Sequence, residues 1–297
     1  MTDIVKTDTP RRLLLVHAHP DDETLTTGGT IARYAAEGAE VTVVTCTLGE
    51  EGEVIGDTWA GLVADAADQL GGYRILELTT ALARLGAAGP CFLGGAGRWR
   101  DSGMVGTAAA ANPRAFVNAD LGEVVAALVD VIRDRRPHVV ICYDPVGGYG
   151  HPDHIRVHEA VTAAVESAGA AGCSAAGQPW EVAKLYWTVT EETSLTEGLG
   201  CITEFPAHWR LPDPGELPSV PDEQVTTTID VRAHLAAKVA GFEAHATQVT
   251  VSPSGTEYAL SNNVVQPILL DEHYVLVRGT LGEVAADGRE RDLFAGV

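Results

Sequence analysis

The chain has 297 residues, with 20 Lys and Arg against 41 Asp and Glu, a formal net charge of −21. That shortage of cations excludes nucleic acid as the main partner and argues against docking on an anionic membrane, since both draw on surplus Lys and Arg. Hydrophobic residues make up 45% of the sequence, enough for a packed core, so the acidity is not that of a disordered chain.

The first ten residues form a polar tail without the apolar run of a signal peptide. No apolar stretch reaches the ~18 residues needed to cross a bilayer, so a cytoplasmic location is expected. Leu13-Leu-Leu-Val16 is a short continuous apolar run, which predicts a strand buried on both faces. Helical spacing follows over 29–37 and stops at Gly38. Val41–Cys46 predicts a second strand. A helix is predicted from Asp57, as N-cap, to Leu70, ended by Gly71-Gly72, and another over 74–85. Cys91-Phe-Leu93 is a candidate third strand, Gly122–Arg136 a long amphipathic helix, and Val139–Tyr143 a fourth strand. Strand and helix in alternation predict a Rossmann-like, doubly wound, mostly parallel sheet. The small-residue stretch 168–179 is the expected junction with a smaller C-terminal α+β portion. The division is therefore 1–170 and 171–297. The second part holds a strand at 184–190, a Pro-rich region at 206–221, a helix near 231–244 and a final strand through His273–Val277.

The five cysteines (Cys46, Cys91, Cys142, Cys173 and Cys201) are scattered and form no C-x-x-C pair. Neither a disulfide framework nor a thiolate zinc site is indicated. Cys46 and Cys142 lie in strand-like runs and read as small hydrophobes.

The chemistry concentrates at the carboxyl ends of two strands, where open α/β sheets bind ligands. After the first strand comes His17-Ala-His19-Pro-Asp21-Asp22-Glu23 in place of the G-x-G-x-x-G of a dinucleotide binder. His19 and Asp22, three apart across a turn, can face one Zn²⁺ or Fe²⁺ ion, and Asp21 between them can reach a water instead. The competing reading is that Asp21 or Asp22 caps the following helix. After the fourth strand comes Asp144-Pro-Val-Gly-Gly-Tyr149-Gly-His151-Pro-Asp153-His154. His154 is the third candidate ligand; a His154/His158 pair on one helix face is the alternative. His17 reads as packing or support. Gly94-Gly-Ala-Gly97 lacks the G-K-[ST] ending of a phosphate loop, and Arg98 and Arg100 read mainly as solvated surface.

The paired H-P-D-D-E and H-P-D-H segments resemble the LmbE-like/PIG-L superfamily of metal-dependent amino-sugar N-deacetylases. Four further segments are similar, over nearly the whole chain, to the branch serving actinobacterial mycothiol biosynthesis. They are Cys46-Thr-Leu-Gly-Glu-Glu-Gly-Glu-Val-Ile-Gly56, Leu70-Gly-Gly-Tyr-Arg-Ile75, Gly94-Gly-Ala-Gly-Arg-Trp-Arg-Asp-Ser-Gly-Met104 and Leu260-Ser-Asn-Asn263. The resemblance implies one divalent metal per chain, Zn²⁺ first and Fe²⁺ as the alternative, held by His19, Asp22 and His154. It implies Asp21 as general base, His151 as the residue stabilising the oxyanion, and Tyr149 as a mobile residue polarising the carbonyl. Arg74 and Asp101 match positions that hold sugar or inositol hydroxyls, and Glu53 and Met104 line up with the pocket. Asp153 is expected to orient His151 through its carboxylate.

The implied reaction removes the acetyl group of a small amino-sugar inositol, 1-O-(2-acetamido-2-deoxy-α-D-glucopyranosyl)-1D-myo-inositol. Asp21 returning its proton to the leaving amine is the preferred last step, with His151 the other candidate. A related branch, the mycothiol S-conjugate amidases, uses a Lys soon after D-D-E; Thr24-Leu-Thr-Thr27 has none, which favours the deacetylase. A non-catalytic sugar- or metal-binding protein on the same fold would not need Asp21. Ala244-His245-Ala-Thr-Gln248 and Asp271-Glu-His273 read as structural.

Overall fold

The computed structural model describes residues 10–171 and 176–297. The N-terminal tail up to residue 9, Cys173 and the middle of the 168–179 junction lie outside the described residues. The chain order is β1 (Arg12–His17), α1 (Asp22–Ala36), β2 (Glu40–Thr45), α2 (Leu70–Leu85), β3 (Cys91–Phe92), α3 (Leu121–Arg135), β4 (Val139–Tyr143), a one-turn α4 (Gly147–Gly150) and α5 (Pro152–Gly169). There follow β5 (Lys184–Val189), α6 (Glu192–Cys201), β6 (Thr227–Asp230), α7 (Leu235–Ala244), β7 (Thr250–Val251), β8 (Glu257–Ala259), β9 (Gln266–Pro267) and β10 (Asp271–Arg278).

A seven-stranded sheet runs in the order β3-β2-β1-β4-β5-β10-β6. The first five are parallel, and β10 is antiparallel to both of its neighbours. β1 lies between β2 and β4, in the middle of the parallel part, and its Leu13–Val16 run is apolar because helices cover both faces of the sheet. Leu14 and Val16 pack into one core with residues of α3 and α5; Leu13 and Leu15 pack into the other with residues of α1 and α2. Cys46 and Cys142 are free thiols inside the first core, as small hydrophobes. The chain leaves β1 towards β2 and β3 on one side and returns to β4 on the other. The order therefore reverses between β1 and β4, and the crevice at their carboxyl ends is the switch point.

Beyond residue 170 the chain adds β5, β10 and β6 to the same sheet and a separate three-stranded sheet, β7-β8-β9. The Pro-rich stretch at 206–221 carries only isolated bridges, Arg210 to Val264 and Glu191 to Val220. No helix among the described residues is long and apolar enough to cross a membrane.

Two expectations change. The helical spacing seen from residue 29 belongs to a helix that starts about two turns earlier, at Asp22. Its first turns show no apolar stripe because their buried face is polar: Asp22, Glu23, Thr24 and Thr27. The helix expected over Asp57–Leu70 does not form. That segment is irregular apart from one 3₁₀ turn at Ala60–Leu62, and α2 begins where the helix was to end. Gly71 is a site of close approach: a Cβ there would lie 2.9 Å from Leu48 Cβ and 2.7 Å from Glu50 Cγ. The glycine lets the start of α2 press against the loop after β2.

Candidate metal centre and active site

After β1 the chain passes through His19 and Pro20 and turns at Asp21, whose φ of 120° and ψ of −33° are rare for a residue with a Cβ. Asp21 occupies the N-cap of α1 but makes no side-chain capping bond. Asp22, already inside the helix, turns its Oδ2 back to accept from the His19 N–H at 2.8 Å. The capping alternative is thus not realised by Asp21. After β4, His151 is the N-cap of α5, and its Nδ1 accepts from the Asp153 N–H at 3.1 Å. Pro152 opens the helix, where a missing N–H costs nothing, and His154 sits in the first turn.

Three donor atoms from these two segments form a nearly equilateral triangle. His19 Nδ1 lies 3.3 Å from Asp22 Oδ2, His154 Nε2 lies 3.4 Å from Asp22 Oδ2, and the two ring nitrogens are 3.3 Å apart. A tetrahedral ion with bonds of about 2.0–2.1 Å spaces its ligands about 3.3–3.4 Å apart. The surroundings turn the lone pairs inward. His154 Nδ1 donates to the Gly147 carbonyl at 3.2 Å, which leaves Nε2 as an acceptor. His19 Nε2 faces Asp153 Oδ2 at 3.2 Å and Asp101 Oδ1 at 3.4 Å, so it carries the proton. Burial opposes charge on His19, yet Asp101, Asp153 and Asp22 outweigh it and hold the imidazole pKa well above its usual value. The pocket favours positive charge, and the donor set fits a divalent cation. His19, His151 and His154 also bring one donor each within 4.8 Å of one another, as do His19, Asp101 and Asp153. The second of these groups supports His19 from behind.

Asp153 therefore does not play the part expected of it. Only its backbone N–H reaches His151, while its fully buried carboxylate holds His19 Nε2 and accepts from the Ser102 N–H at 2.9 Å. As the second residue of α5 it points back under the helix start, beneath His19. Carboxylates behind a ligating imidazole fix its tautomer and raise its basicity. Asp153→Asn is expected to weaken metal affinity about 10- to 100-fold, read by competition with a chelator.

Asp21 stands beside the triangle with its Oδ1 3.0 Å from Arg74 Nη2. Burial pushes its carboxyl up to about 6, against the pull of the Arg74 guanidinium. Arg74 is only 3% exposed; it also donates to the Gly49 carbonyl at 2.8 Å and to the Pro20 carbonyl, and its Nε is without a partner among the described residues. It clamps the Asp21 turn. His151 has its pKa lowered to about 4, first by burial and then by His19 and His154. With Nδ1 accepting, the neutral ring presents Nε2–H, 3.9 Å from Asp101 Oδ1.

Asp101 is buried and accepts from the Gly103 N–H at 2.8 Å and the Glu51 N–H at 3.3 Å. Tyr149, on the glycine-rich turn, is 56% exposed with its ring centroid 5.0 Å from His154 and 6.0 Å from His151. Met104 is 47% exposed on the loop after Asp101, and exposed Glu53 accepts from Ser261 Oγ at 2.9 Å.

His17 is buried, its pKa lowered to about 4 by burial, with Nε2 3.2 Å from Thr27 Oγ1; it supports the strand end. His158 pairs with the Tyr143 carbonyl at 3.0 Å and packs on Trp187, so the His154/His158 alternative is not formed. Arg100 is not a solvated arginine: it binds Asp68 through two nitrogens, at 2.7 and 3.2 Å, and Glu51 at 2.7 Å. Tyr143 was not anticipated. Its hydroxyl donates to Asp22 Oδ2 at 2.8 Å and accepts from the Ala18 N–H at 3.0 Å, and its ring stacks on His154 at 4.1 Å. Its place as the last residue of β4, at the switch point, is the signal that could have found it.

Comparison with known proteins gives a consistent picture. Residues 14–165 match the family model described as PIG-L, GlcNAc-PI de-N-acetylase. A protein of Rhodococcus opacus is 73% identical over 97% of this chain and 98% of its own length. A protein of Rhodococcus erythropolis is 69% identical over 98% and 99%. Both bear the name 1D-myo-inositol 2-acetamido-2-deoxy-alpha-D-glucopyranoside deacetylase. Among solved structures, the N,N'-diacetylchitobiose deacetylase of Pyrococcus horikoshii covers 80% of this chain and 70% of its own at 18% identity, with a TM-score of 0.54. A 4-carboxy-2-hydroxymuconate hydratase from Pseudomonas putida covers 93% and 100% at 19% identity, with a TM-score of 0.60. These two likenesses are of fold, and one fold serving a deacetylase and a hydratase leaves function to the site.

Proposed function

This chain belongs to the GlcNAc-PI de-N-acetylase (PIG-L) family, and on that premise we propose that it hydrolyses the acetamide of 1-O-(2-acetamido-2-deoxy-α-D-glucopyranosyl)-1D-myo-inositol. The products are acetate and the free amine, a step of mycothiol biosynthesis. The observation that carries this reading is the triangle of His19 Nδ1, Asp22 Oδ2 and His154 Nε2, with sides of 3.3 to 3.4 Å, beside the partly exposed carboxylate of Asp21. The relatives that bear the name of this activity are 69% and 73% identical over nearly the whole chain.

His19, Asp22 and His154 would hold one divalent cation per chain. Two imidazoles and a carboxylate suit Zn²⁺, which we assign, and Fe²⁺, which is the alternative. When bound, the cation supplies the Lewis acidity that activates water and polarises the amide carbonyl. Asp21 Oδ takes the proton of the attacking water. His151 Nε2–H and the Tyr149 hydroxyl donate to the carbonyl oxygen as negative charge develops on it. The amine nitrogen must be protonated as the C–N bond breaks; Asp21 returns the proton it took, with His151 the second candidate. Arg74, which also braces Asp21, and Asp101 hold sugar or inositol hydroxyls, and Glu53 and Met104 line the pocket. Residues 171–297 complete the pocket: Ser261 reaches Glu53, and α7 backs α1 behind the Asp21 turn.

Metal-reconstituted protein should release free amine from the acetylated glucosaminyl-inositol faster than from a mycothiol S-conjugate, as read with an amine-reactive fluorophore. Faster turnover of the conjugate would make the chain an amidase of the related branch. No amine from either substrate, with metal bound, would make it a binding protein.

A further inference from the structure

The Asp21 turn is held by a pair of buried side chains that the mechanism above does not use. Glu23 and His245 are both 0% exposed, and they meet across 222 residues of sequence with His245 Nε2 2.8 Å from Glu23 Oε1. The other oxygen, Glu23 Oε2, accepts from the Asp21 N–H at 2.9 Å. The Asp21 carbonyl accepts from the Thr24 and Leu25 N–H groups at 2.9 Å each. Both peptide groups of the positive-φ residue are therefore tied, one to the helix that follows, the other through its N–H to Glu23 and through the Pro20 carbonyl to Arg74. Thr24 Oγ1 donates to Glu23 Oε1 at 2.5 Å.

His245 arrives as the C-cap of α7, which packs on α1 at close range: a Cβ on Gly241 would lie 3.0 Å from Thr24 Cγ2. Two residues on, Thr247 is anchored to Glu77 by its N–H and its hydroxyl, at 2.8 Å each. His245 Nδ1 has no partner among the described residues. The polar ring is thus there for its contact with Glu23. A fully buried carboxylate that has to hold a fixed geometry needs a fixed donor beside it.

We propose that His245 is a positioning residue for the general base. Acting through Glu23, it fixes the peptide of Asp21 in its rare conformation and so fixes the aim of the Asp21 carboxylate. The inference rests on the deacetylase reading and adds to it an element from the far end of the chain.

The test uses the full chain loaded with Zn²⁺ and the acetylated glucosaminyl-inositol. His245→Ala, His245→Gln and Glu23→Gln are compared with the unsubstituted chain for kcat, KM, Zn²⁺ affinity by chelator competition, and thermal unfolding. His245→Ala is expected to lower kcat about 10- to 100-fold, the range of outer-shell changes, with KM and Zn²⁺ affinity within threefold. His245→Gln keeps an N–H within reach of Glu23 and should recover at least a third of the lost rate on a logarithmic scale. Glu23→Gln should match His245→Ala. A loss carried by KM, a kcat within threefold in all variants, or a Gln variant no better than Ala would overturn the proposal. So would failure of all three variants to fold and bind Zn²⁺, which would make the pair structural. No turnover by the unsubstituted chain would instead overturn the deacetylase reading.

Discussion

Asp21→Ala is expected to lower amine release about 10²- to 10⁴-fold, the usual contribution of a positioned general base, while the chain keeps its bound cation. The geometry separates the two effects. Asp22 Oδ2 lies 3.3 to 3.4 Å from both ligating nitrogens, whereas the Asp21 carboxylate is paired with Arg74 Nη2 at 3.0 Å. Truncation leaves the buried Arg74 guanidinium short of its counter-charge, so some loss of stability will accompany the loss of rate. Asp21→Asn is the control, since it keeps the volume and an oxygen for Arg74 but cannot take a proton. Both variants should show the rate loss; only the alanine should show a clear drop in unfolding temperature. Metal content by elemental analysis checks the assignment. If the cation leaves with the activity, Asp21 is a ligand and the base lies elsewhere.

How much of this could be read from residues alone follows from what kind of signal each part leaves. β1 and β4 were legible because a strand buried on both faces writes itself as an unbroken apolar run, as in Leu13–Val16 and Val139–Tyr143. The H-P-D-D-E and H-P-D-H segments each follow one of these strands, and the strand order brings them together at the switch point.

The failures have the same origin. The first turns of α1 carry buried acids and threonines where an amphipathic helix would show leucines, so periodicity could not find them. Gly71-Gly72 looked like a stop because glycine usually is one there, but here Gly71 marks close approach to Leu48 and Glu50. The expected Asp153–His151 pair reflected adjacency in sequence. In three dimensions the carboxylate passes under the helix start to His19, 134 residues away. Tyr143 and His245 act at the site through contacts between elements distant in sequence, and no local pattern encodes such contacts.

His154→Ala is expected to abolish specific cation binding, and with it the stabilisation that the cation gives. A ligand that binds the folded chain alone stabilises it by RT ln(1 + [L]/Kd), about 2.7 kcal/mol at a hundredfold excess over Kd. For a chain of this size that corresponds to a rise in Tm of roughly 4 °C on adding metal to the apoprotein. The variant should show little or none of it. Removing His154 opens one corner of the triangle and leaves His19 and Asp22, 3.3 Å apart, as a two-point site. His151→Ala is the informative partner experiment. His19, His151 and His154 also come within 4.8 Å of one another, so a cation could in principle choose the three imidazoles. The hydrogen bonds argue otherwise: His151 Nδ1 is occupied by the Asp153 N–H, which leaves its Nε2 protonated and a donor. His151→Ala should therefore keep the metal-dependent rise in Tm and lose rate, the opposite partition of binding and chemistry from His154→Ala. If His151→Ala loses the rise as His154→Ala does, the ligand set is the three-imidazole one, and the donor to the developing oxyanion has to be sought in Tyr149.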